Sequence, residues 1–278
     1  MIMDIDIFKD KDLMRLLEYL KKMRSVDFCY YRPNTINRRL DYRLRSLGIK
    51  GYADYLKYLM ETPEELDNLI NTLTIKVSAF FRNPFVFEAL AETVLPEIMD
   101  SHRGQIIRVW SCGCAKGEEA YSIAILIKEL YEKDGERPNA FILGTDIDKG
   151  AIEEAQKGIY RPDALLETKK RYLDKYFGME GSLYRVNKDI RSMAAFVYHD
   201  ITTLTQPKEG IFKEYHLILL RNLLIYFSKQ LYERILRYLI GVLPLGSFLV
   251  LGEAETIVGD IRENFEEVIP GTKIFMRV

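Results

Sequence analysis

Arg108-Val-Trp-Ser-Cys-Gly-Cys-Ala-Lys-Gly-Glu-Glu-Ala-Tyr-Ser-Ile-Ala-Ile-Leu-Ile127 reads as a buried strand, a turn of small residues and an amphipathic helix. Such a unit brings bare backbone and a helix N-terminus to the carboxyl edge of a sheet, where α/β proteins bind nucleotide-like ligands. The dinucleotide fingerprint needs glycines at the first, third and sixth positions, and after Gly113 that spacing fails. Glu118 and Glu119 follow the second glycine, Gly117. Paired carboxylates are poor neighbours for pyrophosphate and good ones for a cation. The turn therefore favours S-adenosylmethionine, with its sulfonium and ammonium, over NAD or ATP.

Working outward, strand and helix patterns alternate from Ile106 on. Phe141–Thr145, Phe196–His199, Leu217–Leu220, Phe248–Leu251 and Lys273–Arg277 read as strands, with helices over 117–131, 148–157 and 228–241. The expected fold is α/β, a doubly wound, mainly parallel sheet. The stretch around 177–195 breaks the rhythm and suggests a small antiparallel insert. Before about residue 100 the pattern is helical: Leu13, Leu16, Leu17, Leu20 and Met23 form one stripe, and Ile36, Leu40, Leu44 and Leu47 another that ends at Gly48. Thr62-Pro63-Glu64-Glu65 reads as a helix start with a hydroxyl cap. The division expected is a helical domain over 1–80 and a sheet domain over 81–278.

The chain has 278 residues, 48 % of them hydrophobic, and no apolar run long enough to cross a bilayer. The start lacks a basic segment before an apolar one, so no secretory leader is expected. Three cysteines are too few for a disulfide framework, which fits a cytoplasmic setting. Cys112-Gly-Cys114 has no matching spacing among His102, His199 and His216, so no metal site is expected. Net charge is −1, unevenly spread: residues 1–60 hold 13 Lys and Arg against 8 Asp and Glu. A basic module facing an acidic partner is the natural reading. The acidic remainder argues against nucleic acid.

Candidate site residues follow from strand ends. Asp146 ends the second strand, where an acid commonly meets ribose hydroxyls, whereas Asp148 reads as a helix cap. Arg221, Asn222 and Tyr226 follow a buried strand. Ser78-Ala-Phe80-Phe81-Arg82-Asn83-Pro84 lies at the domain junction, where clefts are favoured for binding.

Four motifs in order, Phe80-Phe-Arg-Asn-Pro84, Trp110-Ser…Gly117-Glu-Glu…Tyr121-Ser-Ile-Ala, Thr145-Asp-Ile-Asp148 and Arg221-Asn…Ile225-Tyr-Phe227, give the chain its resemblance to the CheR family. These are S-adenosylmethionine-dependent methyltransferases that esterify glutamates on chemotaxis receptors. The resemblance implies a Rossmann-like class I methyltransferase sheet preceded by an all-α N-terminal domain, with S-adenosylhomocysteine as product. It implies cofactor contacts from Lys76, Ser78, Arg82, Gly113, Glu119, Asp146, Asp200, Ile201, Arg221 and Asn222. It places Tyr226 beside the transferred methyl; Arg82 is expected to orient carboxylate groups, and Asn222 with Tyr226 to fix the methyl geometry. Lys76, Ala120 and Asp200-Ile201 depart from the family's usual asparagine, proline and Asn-Leu. Arg38, Arg39, Arg43 and Arg45 are the residues expected to dock on the helical region of a receptor, with the protein a monomer. A methyltransferase for another substrate and a regulatory module that only binds the cofactor are the rival readings.

Overall fold

In the computed structural model, residues 10–24, 26–74, 78–207 and 212–278 are described. Two compact units divide the chain: Met1–Ile75 with Tyr226–Tyr232, and Lys76–Ile225 with Glu233–Val278.

The first unit contains α1 (Lys11–Arg24), α2 (Pro33–Leu47), α3 (Tyr52–Glu61) and α4 (Glu65–Leu73). Leu13, Leu16, Leu17 and Leu20 bury the α1 stripe as their spacing predicts, while Met23 is 44 % exposed. α2 opens on Pro33, whose missing N–H costs a helix nothing in its first turn, and closes on Gly48 at φ 71°. The expected hydroxyl cap at Thr62 is not formed. Thr62 closes α3, its N–H donating to the Tyr58 carbonyl, and α4 begins at Glu65 with no side-chain cap. The Glu65 N–H donates instead to the Thr62 carbonyl at 3.0 Å, and the Glu65 side chain turns inward. Its carboxylate accepts Arg43 Nε at 2.7 Å, the Tyr55 hydroxyl at 2.7 Å and Asn68 Nδ2 at 3.2 Å. Burial raises the Glu65 pKa, but the Arg43 hydrogen bond, with those of Tyr55 and Asn68, outweighs it and leaves the group below its ordinary value. The 226–232 segment joins this unit through Arg32 N–H to the Tyr226 carbonyl and Ser228 N–H to the Tyr30 carbonyl, both 2.8 Å.

The second unit opens with α5 (Pro84–Ala89), a π-helical stretch (Leu90–Val94) and α6 (Leu95–Ser101). Then come β1 (Ile107–Cys112), α7 (Glu118–Lys133), β2 (Ala140–Asp146), α8 (Lys149–Lys157), β3 (Ile159–Tyr160), α9 (Lys170–Tyr176), β4 (Phe177–Glu180), β5 (Leu183–Val186), α10 (Lys188–Arg191) and β6 (Ala194–Tyr198). β7 (Leu217–Leu220), α11 (Lys229–Ile240), β8 (Phe248–Leu251), β9 (Phe265–Glu267) and β10 (Ile274–Arg277) complete it. The main sheet runs β6-β2-β1-β7-β8-β10-β9. β6, β2, β1, β7 and β8 pair in parallel; β10 pairs antiparallel with β8 and β9. Every residue of β7 and β8 is buried, as expected of central strands covered on both faces.

A second sheet, β3-β5-β4, is antiparallel. Its strands fall between Ile159 and Val186, against the 177–195 expected from sequence. β3 is two residues long, too short for periodicity to reveal, and Ala194–Tyr198 pairs with β2 instead.

Candidate functional site

The carboxyl ends of β1, β2, β6, β7 and β8 carry the polar residues of the second unit. After Cys112 the chain turns through Gly113 at φ 75°, Ala115 at 48° and Gly117 at 88° before α7. Left-handed conformations are strained for residues with a Cβ, so the turn is glycine-rich for a reason. At Gly113 a Cβ would also come within 2.9 Å of the Leu223 side chain. The Thr145 carbonyl accepts the N–H groups of Gly113 and Cys114, at 2.8 and 2.9 Å, which ties the turn to β2.

Asp146 sits where its strand end predicts. Its Oδ2 accepts the Ala115 N–H and its Oδ1 the Asp148 N–H, both at 2.9 Å. Asp148 caps α8 through Ala151 N–H at 2.9 Å. Beyond β6, Asp200 is 7 % exposed and accepts the Thr202 N–H, and Ile201 beside it is buried.

Glu119 Oε1 accepts the Ser111 hydroxyl at 2.7 Å, and Oε2 meets Arg221 Nη1 at 3.2 Å. The Arg221 side chain is 3 % exposed, which makes this a buried ion pair. Its Nη2 donates to the Arg82 carbonyl at 2.9 Å and to Asn83 Oδ1 at 2.8 Å. One guanidinium thus joins the α7 acid to the turn before α5. In that turn Phe81 and Asn83 are left-handed, at φ 54° and 62°, and the Phe81 N–H donates to Ser122 Oγ. Backbone held so far from its preferred basin is a feature of binding and reacting sites.

Glu118 is 3 % exposed, and its Oε2 is buried without a hydrogen-bond partner. Burial pushes its pKa up to about 7, opposed by the helix backbone, Lys116 and a hydrogen bond with Ser78. Burial also pushes up the Cys112 and Cys114 thiols, so neither is a thiolate at neutral pH.

Of the residues singled out in the sequence, Gly113, Glu119, Asp146, Asp200, Ile201, Arg221 and Asn222 lie at this sheet edge. Ser78 and Arg82 lie on the segment before α5. Lys76 is outside the described residues. Tyr226 belongs to the first unit, where the Arg39 guanidinium lies 6.0 Å from its ring centre. Among the four arginines of α2, Arg38 and Arg45 are exposed. The other two, also expected to dock, are bonded within the unit. Arg43 pairs with Glu65, and Arg39 Nη1 donates to the Leu73 carbonyl at 2.6 Å. Sequence reasoning missed Asn83, Ser111 and Glu255. Glu255 follows a buried strand within four residues, the same signal that marked Arg221.

The donor set fits a cationic ligand. Glu119, Asp146 and Asp200 supply carboxylates. Comparison with known proteins gives the class: an S-adenosylmethionine-dependent methyltransferase. The family model "CheR methyltransferase, SAM binding domain" matches residues 76–274, and "CheR methyltransferase, all-alpha domain" matches 11–74. The chain belongs to the CheR methyltransferase family. It is 30 % identical to a chemotaxis protein methyltransferase of Borreliella burgdorferi, over 97 % of this chain and 95 % of that one. It is also 30 % identical to chemotaxis protein methyltransferase 2 of Vibrio cholerae, over 90 % and 87 %. A 104.1 kDa protein of Rhodobacter capsulatus is 33 % identical over 91 % of this chain, which spans only 26 % of that protein's length. A methyltransferase of Rickettsia typhi, PKMT2 in complex with AdoHcy, aligns with a TM-score of 0.36 at 14 % identity, over 64 % of this chain and 26 % of that one.

Proposed function

We propose that this methyltransferase esterifies glutamate side chains on the cytoplasmic helical region of chemotaxis receptors, acting in the cytoplasm. The observation that carries the reading is the acid-lined sheet edge wired by Arg221 to the Arg82–Asn83 turn. When bound, S-adenosylmethionine supplies a methyl group on a sulfonium, which passes to a carboxylate oxygen to give a methyl ester and S-adenosylhomocysteine.

The residues of the chain bind, orient and exclude water. Asp146 takes the ribose hydroxyls; Glu119 and Asp200 favour the cation and the adenine amino group. Ser78, Gly113, Ile201 and Arg221 complete the cofactor contacts. Arg82 orients the accepting carboxylate, and Asn222 fixes the methyl geometry. The acceptor is already ionised at neutral pH, so no histidine need act as a base. Cation and anion neutralise each other as the reaction proceeds, so positioning and a dry site supply most of the rate. Arg38 and Arg45, exposed seven residues apart with Tyr42 between them at 71 % exposure, form the receptor-docking stripe.

The test is methyl transfer from radiolabelled donor to a receptor cytoplasmic fragment, with release of base-labile methanol. Label that is stable to base would show a different acceptor. Asp146→Ala is expected to weaken donor binding by about 1–3 kcal/mol, the cost of leaving a buried polar partner unsatisfied. Wild-type affinity in that variant by calorimetry would remove Asp146 from the ribose role.

A further inference from the structure

One buried carboxylate at the same sheet edge takes no part in the steps above. Glu255 lies just beyond β8 and is 1 % exposed. Its Oε2 accepts the backbone N–H of Gly252 at 2.6 Å and of Asn222 at 3.0 Å, and its Oε1 accepts that of Ile225 at 3.3 Å. A carboxylate buried this deeply is costly unless its lone pairs are filled. Main-chain donors from two different strand ends fill them. Glu255 therefore clamps the loop after β7 to the loop after β8.

The clamp closes on a strained residue. Asn222 has φ 58°, and its backbone N–H is one of the groups Glu255 holds. Beside it stands Gly252. A Cβ there would lie 2.7 Å from both Asn222 N and Glu255 Oε2 and 2.9 Å from Asn222 Nδ2. The carboxylate and Asn222 can thus meet only because residue 252 has no side chain. Arg221, whose guanidinium holds Glu119 and the Arg82 carbonyl, is the residue immediately before it.

We propose that Glu255 is a positioning residue for methyl transfer: its ionised carboxylate holds the Asn222–Ile225 backbone so that Arg221 and Asn222 keep their places at the sheet edge. The inference rests on reading that edge as the methyl-transfer site. Burial raises the Glu255 pKa and the backbone N–H groups oppose it; a carboxylate can fill all three bonds because it offers two acceptor oxygens and no hydrogen. Glutamine has the same shape but turns an N–H₂ toward backbone N–H donors.

The test is steady-state transfer from tritiated S-adenosylmethionine to a receptor cytoplasmic fragment, using the full chain. Glu255→Gln is expected to lower kcat at least tenfold with the KM for receptor unchanged within about twofold. Gly252→Ala keeps the carboxylate but sets a methyl against both Glu255 Oε2 and Asn222 N, so it should reproduce the loss. Because both changes break the same Glu255–Asn222 contact, the double variant should be no worse than about twofold below the poorer single one. Glu255→Asp, which keeps the charge but shortens the reach, should recover part of the glutamine loss. Wild-type kcat in Glu255→Gln, or in Gly252→Ala should the glutamine variant fail to fold, overturns the proposal. So do multiplying losses in the double variant. Wild-type protein that neither binds the donor nor methylates the fragment would instead overturn the reading of the edge itself.

Discussion

Glu118 begins α7 with a carboxyl that is 3 % exposed and has a pKa of about 7, raised chiefly by burial. The folded state thus holds the proton more tightly than the unfolded chain, where the group titrates near 4.5. Its contribution to stability is complete below that value and is lost as pH rises through about 7. The shift corresponds to about 3 kcal/mol. Glu118→Gln should therefore flatten the decline in unfolding free energy between about pH 5 and pH 8 and make the protein more stable at pH 8. Urea unfolding of both proteins at the two pH values measures it, and parallel pH slopes would show that Glu118 is not the titrating group. The acid pair after Gly117 was legible in the sequence because it follows a glycine turn at a strand end. Which of the two would be buried was not legible, since neighbouring helix positions face different ways only once the sheet is in place. Glu255 was hidden for the converse reason. A glutamate in Gly252-Glu-Ala-Glu255 looks like any polar loop residue until backbone N–H groups from another strand end converge on it.

At the level of elements, the sheet's central strands were readable as unbroken apolar runs, whereas their order, β6-β2-β1-β7-β8, was not. What the runs did not disclose is how one side chain ties two of them to the turn before α7. The Phe196 ring on β6 lies against two glycines: a Cβ at Gly144 on β2 would meet it at 2.5 Å, and one at Gly117, before α7, at 2.8 Å. Phe196 therefore packs the glycine turn onto the sheet, and the two glycines leave room for it. Gly144→Ala should destabilise by about 1–3 kcal/mol through overpacking, and Phe196→Ala by about 3–5 kcal/mol through the cavity left. Combining Gly144→Ala with Phe196→Leu should cost less than the sum of the two single changes, since the smaller side chain makes room for the methyl. Denaturant midpoints settle it; strict additivity would mean that the two sites do not share space. The short β3 and β9 were missed because two- and three-residue strands carry too few alternations to register. The Thr62 hydroxyl cap is replaced by a main-chain bond, the Glu65 N–H donating to the Thr62 carbonyl, while the Glu65 carboxylate takes Arg43 and Tyr55 inside the helical unit.

Across the whole molecule the division of charge is the organising feature. The basic surplus of the first sixty residues survives folding only in part, because Arg43 is consumed by Glu65 and Arg39 by helix-end carbonyls. What remains exposed on α2 is Arg38 and Arg45 with Tyr42, a stripe suited to an acidic helical surface. Attraction between exposed charges is screened within about 8 Å at physiological salt, and it acts more on encounter than on the final complex. Raising salt from about 0.05 to about 0.5 M should then lower kcat/KM for receptor several-fold while leaving donor affinity nearly unchanged, because Glu119 and Arg221 are shielded from ions. Reversing both charges, with Arg38→Glu and Arg45→Glu, should lower kcat/KM in low salt by at least tenfold and remove most of the salt dependence. Reversing Arg43 should instead unfold the helical unit by stranding Glu65, so its circular dichroism would change where that of the double variant would not. If the double variant kept the wild-type salt slope, the receptor would have to be met by some other surface. If it lost donor affinity, α2 would belong to the cofactor's site and not to the partner's.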